Sequence, residues 1–199
     1  MLPQNYLLDC TCYIAPVGDE SELAYLNSKL VWFQLFDISN PLRGGTWRLR
    51  LKAQYIEQII VPAFTKVERS KLFVNGQSAS AWAKERFDSI ESVLRRIADL
   101  CPPDRAPKLT NRLRKWWKLD FKSFRAEINK AFKAEIPLKQ RNEWENFLRE
   151  EGEKVRRLTT EIEQAEREID AIVYKLSISR RTKSRFSKAR SQGNIDCRF

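Results

Sequence analysis

The sequence predicts an α+β protein, a small mixed α/β module followed by a mainly helical region that ends in a long coiled-coil-like helix. Three observations predict it. Before residue 65, short runs of β-forming residues alternate with turn residues. From there on, apolar residues recur at helical spacing. Between 143 and 176, Leu148, Val155, Leu158, Ile162, Ala165, Ile169, Ile172 and Leu176 keep alternating steps of three and four, broken once at Glu151. That is a heptad seam, a stripe that asks for another helix to cover it.

The elements follow in order. Tyr6 to Ala15 reads as a strand ending at Pro16, and Gly18-Asp19 as a turn. Leu23, Leu26, Leu30, Phe33 and Phe36 mark one helix over Ser21 to Phe36, capped by Asp19 or Ser21. Asn40-Pro41 breaks the chain, and Arg43-Gly44-Gly45-Thr46 forms a loop. Trp47 to Lys52 alternates apolar and cationic residues, the period of a half-buried strand. Ala53 to Gln58 is a helical turn, Ile59-Ile60-Val61 a β-rich run, and Pro62 a stop. Residues 1–64 form the first domain. The second, 65–176, holds an amphipathic helix marked by Trp82, Phe87, Ile90, Leu94, Ile97 and Cys101, a stop at Pro102-Pro103, a linker to Pro107, an aromatic and cationic stretch from Thr110 to Ala134, and the heptad helix 143–176. The tail 177–199 carries seven cations and one acid, Asp196, with few apolar residues, and is expected to be disordered.

Composition narrows the function classes. Net charge is +11 over 199 residues, an excess that points to a polyanionic partner. Histidine is absent, which removes Ser-His and Cys-His catalysis and most zinc sites. The four cysteines (Cys10, Cys12, Cys101 and Cys197) lack zinc spacing and fit a reducing, cytoplasmic setting. No secretory signal or membrane-spanning run is read from the sequence. With no phosphate loop, nucleophile elbow or metal motif, no catalytic residue and no metal ligand is assigned.

The charge is uneven. Arg105 to Arg141 holds twelve Lys or Arg against three acids, whereas Glu143 to Asp170 holds ten acids against five bases. The cations Lys115, Lys118, Lys122 and Arg125 are candidates for phosphate contact. The aromatics among them, Trp116, Trp117, Phe121, Phe124 and Phe132, are read as core, because Trp117, Phe121, Phe124, Ile128 and Phe132 are spaced as one helix face. A second constellation is Arg43, Arg48, Arg50 and Lys52 around Gly44-Gly45. The glycines permit close backbone approach and arginine can read guanine edges. An ordinary solvent-facing strand explains the same residues equally well.

Several segments resemble a known family. Leu26-Asn27-Ser28-Lys29-Leu30, Leu42-Arg43-Gly44-Gly45 and Tyr55 to Pro62 look like the end of a target-recognition domain. Lys115 to Phe121, Ile136-Pro137-Leu138, Trp144 and Glu168 to Leu176 are similar to the helical region that follows it. The family is the TaqI-like adenine-specific DNA methyltransferases, including type IIG restriction-modification enzymes. The resemblance implies a double-stranded DNA partner, with Arg43, Gly44, Gly45, Arg48, Arg50, Lys52, Lys115, Lys118, Lys122 and Arg125 as DNA-binding residues. In that family S-adenosylmethionine serves methyl transfer to adenine N6. Nothing in this chain matches the glycine-rich cofactor loop or the N-P-P-Y-type tetrapeptide, so no cofactor is expected here. The expected function is a DNA-specificity fragment of such an enzyme, lacking the catalytic domain. The alternative is a helical interaction subunit, docked through its seam on a methyltransferase or nuclease chain, or on a second copy.

Overall fold

A computed structural model describes residues 18–39, 49 and 52–191, with side chains described through 176. The described residues are about 75% helical with essentially no strand, so the expected α+β class with its mixed α/β module is overturned in favour of a mainly helical protein. The expected strand Tyr6 to Ala15 lies outside the described residues, and that at Trp47 to Lys52 is described only at Leu49, a single bridge residue, and Lys52. Ile59-Ile60-Val61 is described and forms no strand. Side chains satisfy its backbone: the Ile60 N–H donates to Gln34 Oε1 at 2.9 Å, and its carbonyl accepts from the Tyr25 hydroxyl at 2.5 Å. With those groups engaged, β-branched propensity has no strand to pair with.

The helices are α1 (Glu20–Leu26), α2 (Lys29–Ile38), α3 (Ala53–Ile56), α4 (Lys66–Ala98), α5 (Phe121–Phe132) and α6 (Arg141–Ser191), with 3-10 helices at Leu113–Lys118 and Leu138–Gln140. Two compact units divide the chain: residues to 77 together with those from 166, and Ser78–Ala165.

The first unit is built on α1 and α2. Asp19 caps α1, accepting from the N–H groups of Ser21 (2.8 Å) and Glu22 (3.3 Å). The single helix expected over Ser21 to Phe36 is two helices, broken at Asn27-Ser28. The break is tertiary in origin. Ser28 gives α2 no side-chain cap; instead the Lys29 N–H donates to Asp170 Oδ1 of α6 at 2.9 Å, and Lys29 Nζ lies 3.1 Å from Oδ2. A carboxylate 141 positions away thus satisfies one orphan amide of α2 and faces the positive end of its dipole. The core gathers Ala24, Tyr25, Val31, Leu35, Leu72, Ile169 and Val173. Gly76 of α4 lets α1 approach closely: a Cβ there would stand 2.8 Å from the Glu20 carbonyl oxygen and 3.0 Å from Ala24 Cβ.

The second unit pairs parts of α4 and α6 with α5 and the 3-10 helix. Ser89 Oγ donates to Glu151 at 2.6 Å, Lys154 pairs with Glu85 at 3.1 Å, and Arg86 donates to Thr159 at 3.3 Å. From Arg86 to Ser89 the partner moves back from Thr159 to Glu151, so the two helices run antiparallel here. Glu151, the break in the apolar seam, is therefore bonded to a buried serine, a polar pair that fixes register between the helices. The core is Val93, Leu94, Ile97, Leu113, Trp116, Phe124, Ile128, Phe132, Ile136 and Val155. At roughly 2 kcal/mol for each large apolar side chain removed from water, this cluster dominates the unit's stability. Phe124 stacks on Trp144 (centroids 6.1 Å apart), and the Arg96 guanidinium lies 4.6 Å from the Phe147 ring centre. Of the aromatics expected in the core, Trp116, Phe124 and Phe132 are buried and Trp117 and Phe121 half-buried, whereas Phe87 is 62% exposed instead of lying on the apolar stripe.

Along α6, Val155, Leu158, Ile162, Ala165 and Ile169 are buried as the seam requires, but Val173 replaces Ile172 as the buried position after Ile169. A straight helix drifts against a 3.5-residue repeat, and the four-residue step corrects it. The helix does not stop at Leu176 but continues to Ser191. Neither Gly nor Pro occurs between 177 and 191, and cations near a helix C-terminus suit its dipole. Residues 192–199 lie outside the described set.

Candidate nucleic-acid interface

Helix α5 begins where Asp120 accepts the Ser123 N–H at 2.6 Å, and ends at Lys133, which turns the chain in the left-handed region at φ 54°. The Ser123 amide, aided by the nearby Lys122 charge, holds the Asp120 carboxyl below its ordinary range. Phe124, Glu127, Ile128 and Phe132 are buried. The remaining arc carries Lys122, Arg125, Asn129 and Lys133 at i, i+3, i+7 and i+11, which span about 80° of the helix circumference at 3.6 residues per turn. Lys122, Asn129 and Lys133 are exposed and Arg125 is half-buried. No carboxylate interrupts this stripe, since Asp120 is the cap and Glu127 is buried.

The 3-10 helix Leu113–Lys118 packs against α5. It buries Leu113 and Trp116, three residues apart, and leaves Arg114, Lys115 and Lys118 exposed. The backbone leaves helical values at Lys115 (φ −119°, ψ 39°), and Arg156 Nη1 of α6 holds the end of this turn by donating to the Trp117 carbonyl at 3.0 Å. Among the described residues, Lys115, Lys118, Lys122 and Arg125 make no ion pair. The cations of this stretch that do pair are Arg105, Arg112 and Arg141.

The four candidates from 115 to 125 thus lie on adjoining elements of one unit. Of the other constellation, Arg43, Gly44, Gly45, Arg48 and Arg50 lie outside the described residues, and Lys52, half-buried, occupies the N-cap position of α3 in the first unit. Sequence reasoning missed Arg114, Lys130 and Lys133, although the spacing of Lys122, Arg125 and Lys133 already put them on one helix face. It also missed the buried Glu127, which accepts from Thr110 Oγ1 at 3.0 Å and from Arg112 Nη1 at 3.1 Å. Among the described residues, no group of three or more Cys, Asp or Glu side chains could hold a metal ion, and no helix is long and apolar enough to cross a membrane.

On the first unit, α2 leaves Trp32, Phe33 and Phe36 exposed on the side away from Val31 and Leu35. Comparison with known proteins adds one relation. Residues 65–173, more than half of the chain, match the model of a family described as a domain of unknown function (DUF8810). No curated protein and no solved structure matches.

Proposed function

We propose, from the premise that the chain belongs to the DUF8810 family, that it binds double-stranded DNA by its phosphate backbone and catalyses nothing itself. The observation that carries this reading is the unpaired cationic surface of Lys115, Lys118, Lys122 and Arg125, set on a short 3-10 helix and on α5. Cations that are not spent on internal ion pairs are free to replace the counterions condensed on a polyanion. The aromatic core beneath them supplies a frame, so phosphate contacts would fix orientation on the duplex. The resemblance to TaqI-like adenine methyltransferases supports a place in restriction-modification, as a specificity element beside an S-adenosylmethionine-dependent catalytic domain. In that setting Arg43, Gly44, Gly45, Arg48, Arg50 and Lys52 would read bases.

Fluorescence anisotropy with a labelled duplex tests this. Replacing Lys115, Lys118, Lys122 and Arg125 together by Gln should weaken binding by at least about a hundredfold at low salt, since electrostatic phosphate contacts supply essentially all non-specific affinity. Unchanged affinity in the folded variant refutes the assignment. The second reading, an interaction subunit, has a different surface from the one the sequence suggested. Leu158, Ile162 and their neighbours in the seam are buried within the chain, whereas Trp32, Phe33 and Phe36 stand exposed on α2. Sedimentation with and without Phe33→Ser separates this reading from DNA binding.

A further inference from the structure

Arg112 differs from the other cations of the second unit. Its side chain is 62% exposed, yet its Nη1 donates at 3.1 Å to a carboxylate, Glu127, that is only 4% exposed. Both oxygens of that carboxylate are engaged: Oε1 takes Arg112, and Oε2 takes the Thr110 hydroxyl. Thr110 Oγ1 also accepts the Leu113 N–H at 3.2 Å, so the same clasp fastens the start of the 3-10 helix that carries Lys115 and Lys118. Arg112 thus has one edge anchored inward, while Nη2 and Nε have no partner among the described residues. On α5, Glu127 is one turn from Lys130 and Ser123 and at least about 120° round the helix from Lys122, Arg125 and Lys133, so Arg112 joins the cationic surface through the 3-10 helix that carries Lys115 and Lys118.

We infer that Arg112 is a preorganised phosphate contact of this surface and that the buried Glu127 is its positioning residue. This rests on the DNA-binding reading above and refines it. A lysine on a flexible stem must lose rotamer freedom when it meets a phosphate. A guanidinium already fixed by a buried carboxylate loses less, and its planar fork suits the oxygens of a phosphodiester. The carboxylate therefore aids binding of a polyanion despite its negative charge.

That sign makes the inference testable. Glu127→Gln raises the net charge by one, so charge alone predicts equal or tighter binding to a labelled duplex. Loss of a fixed arginine predicts weakening of about two- to tenfold. Glu135→Gln, which removes an exposed carboxylate paired with Arg141, supplies the charge-only baseline and should bind as tightly as wild type or more so. Weaker binding by Glu127→Gln, with folding verified by circular dichroism, supports the inference; binding equal to the Glu135→Gln baseline overturns it. If Glu127→Gln does not fold, Arg112→Lys decides, because it keeps the charge and loses the fork. Weakening of about two- to tenfold supports the inference and unchanged affinity overturns it. Absence of binding by the wild-type chain is a separate result that removes the DNA-binding reading itself.

Discussion

Gly76 and Gly152 lie inside long helices, where replacement by Ala usually stabilises, and the structure assigns them different outcomes. In a helix interior, Gly→Ala gains about 1 kcal/mol in propensity. At Gly76 the new methyl would meet backbone, the Glu20 carbonyl oxygen at 2.8 Å and Ala24 Cβ at 3.0 Å. Neither can turn aside without displacing α1, and overpacking of this kind costs about 1–3 kcal/mol. The clash outweighs the propensity gain, so Gly76→Ala should lose about 1 kcal/mol net, up to about 2. At Gly152 the nearest atom is Arg156 Nη1 at 3.3 Å, the far end of a flexible side chain. It can yield a few tenths of an ångström, weakening in part its bond to the Trp117 carbonyl, a bond worth about 1 kcal/mol. Gly152→Ala should therefore be neutral or slightly stabilising. Urea unfolding followed by far-UV circular dichroism measures both. With a slope of about 2 kcal/mol/M, the Gly76→Ala midpoint should fall by about 0.5–1 M while that of Gly152→Ala stays level or rises. A Gly76→Ala variant as stable as Gly152→Ala refutes the close approach of α1 to α4.

Three further outcomes follow from the same geometry. Asp170→Ala should cost about 1 kcal/mol in a urea titration, the value of a lost N-cap, with little added from the ion pair because Lys29 is 72% exposed. Leu158→Asp or Ile162→Asp places an unpaired charge at a position 1% or 6% exposed; circular dichroism should show loss of folding rather than dissociation of folded chains. Asp120 and Asp19 both have folded pKa values below the ordinary 3.8, Asp120 chiefly through the Ser123 amide and Asp19 chiefly through the Ser21 hydroxyl. A depressed carboxylate stabilises above its unfolded pKa and loses that contribution as pH falls through the folded value. The urea midpoint of the wild type should accordingly decline below about pH 4, and Asp120→Asn should flatten part of that decline.

How much of this could be read beforehand depends on where each determinant lies in the chain. Local signals held. Asp19 caps the helix that follows it, and the spacing of Phe124, Ile128 and Phe132 marks the buried face of α5. The heptad rhythm locates the buried stripe of α6 through Ile169. Determinants distant in sequence were hidden. Nothing near Ser28 announces a helix start there, because its capping carboxylate is Asp170. Ile59-Ile60-Val61 has the composition of a strand, yet Gln34 and Tyr25 take the backbone bonds that a neighbouring strand would need. A short β-branched run without a partner strand does not make a sheet, and the α+β expectation fails there. At the candidate interface, charge surplus located the segment, while the division between paired and unpaired cations required the fold. Arg112 and Lys115 look alike in sequence; only the position of Glu127 separates them.

The salt dependence of duplex binding tests the central claim most directly. If Lys115, Lys118, Lys122 and Arg125 each neutralise one phosphate, the plot of log affinity against log salt should have a slope near −3.6, at about −0.9 per contact, and affinity should fall roughly a hundredfold between 50 and 200 mM salt. Affinity that stays constant over that range contradicts the proposal that this cationic surface grips a nucleic-acid backbone.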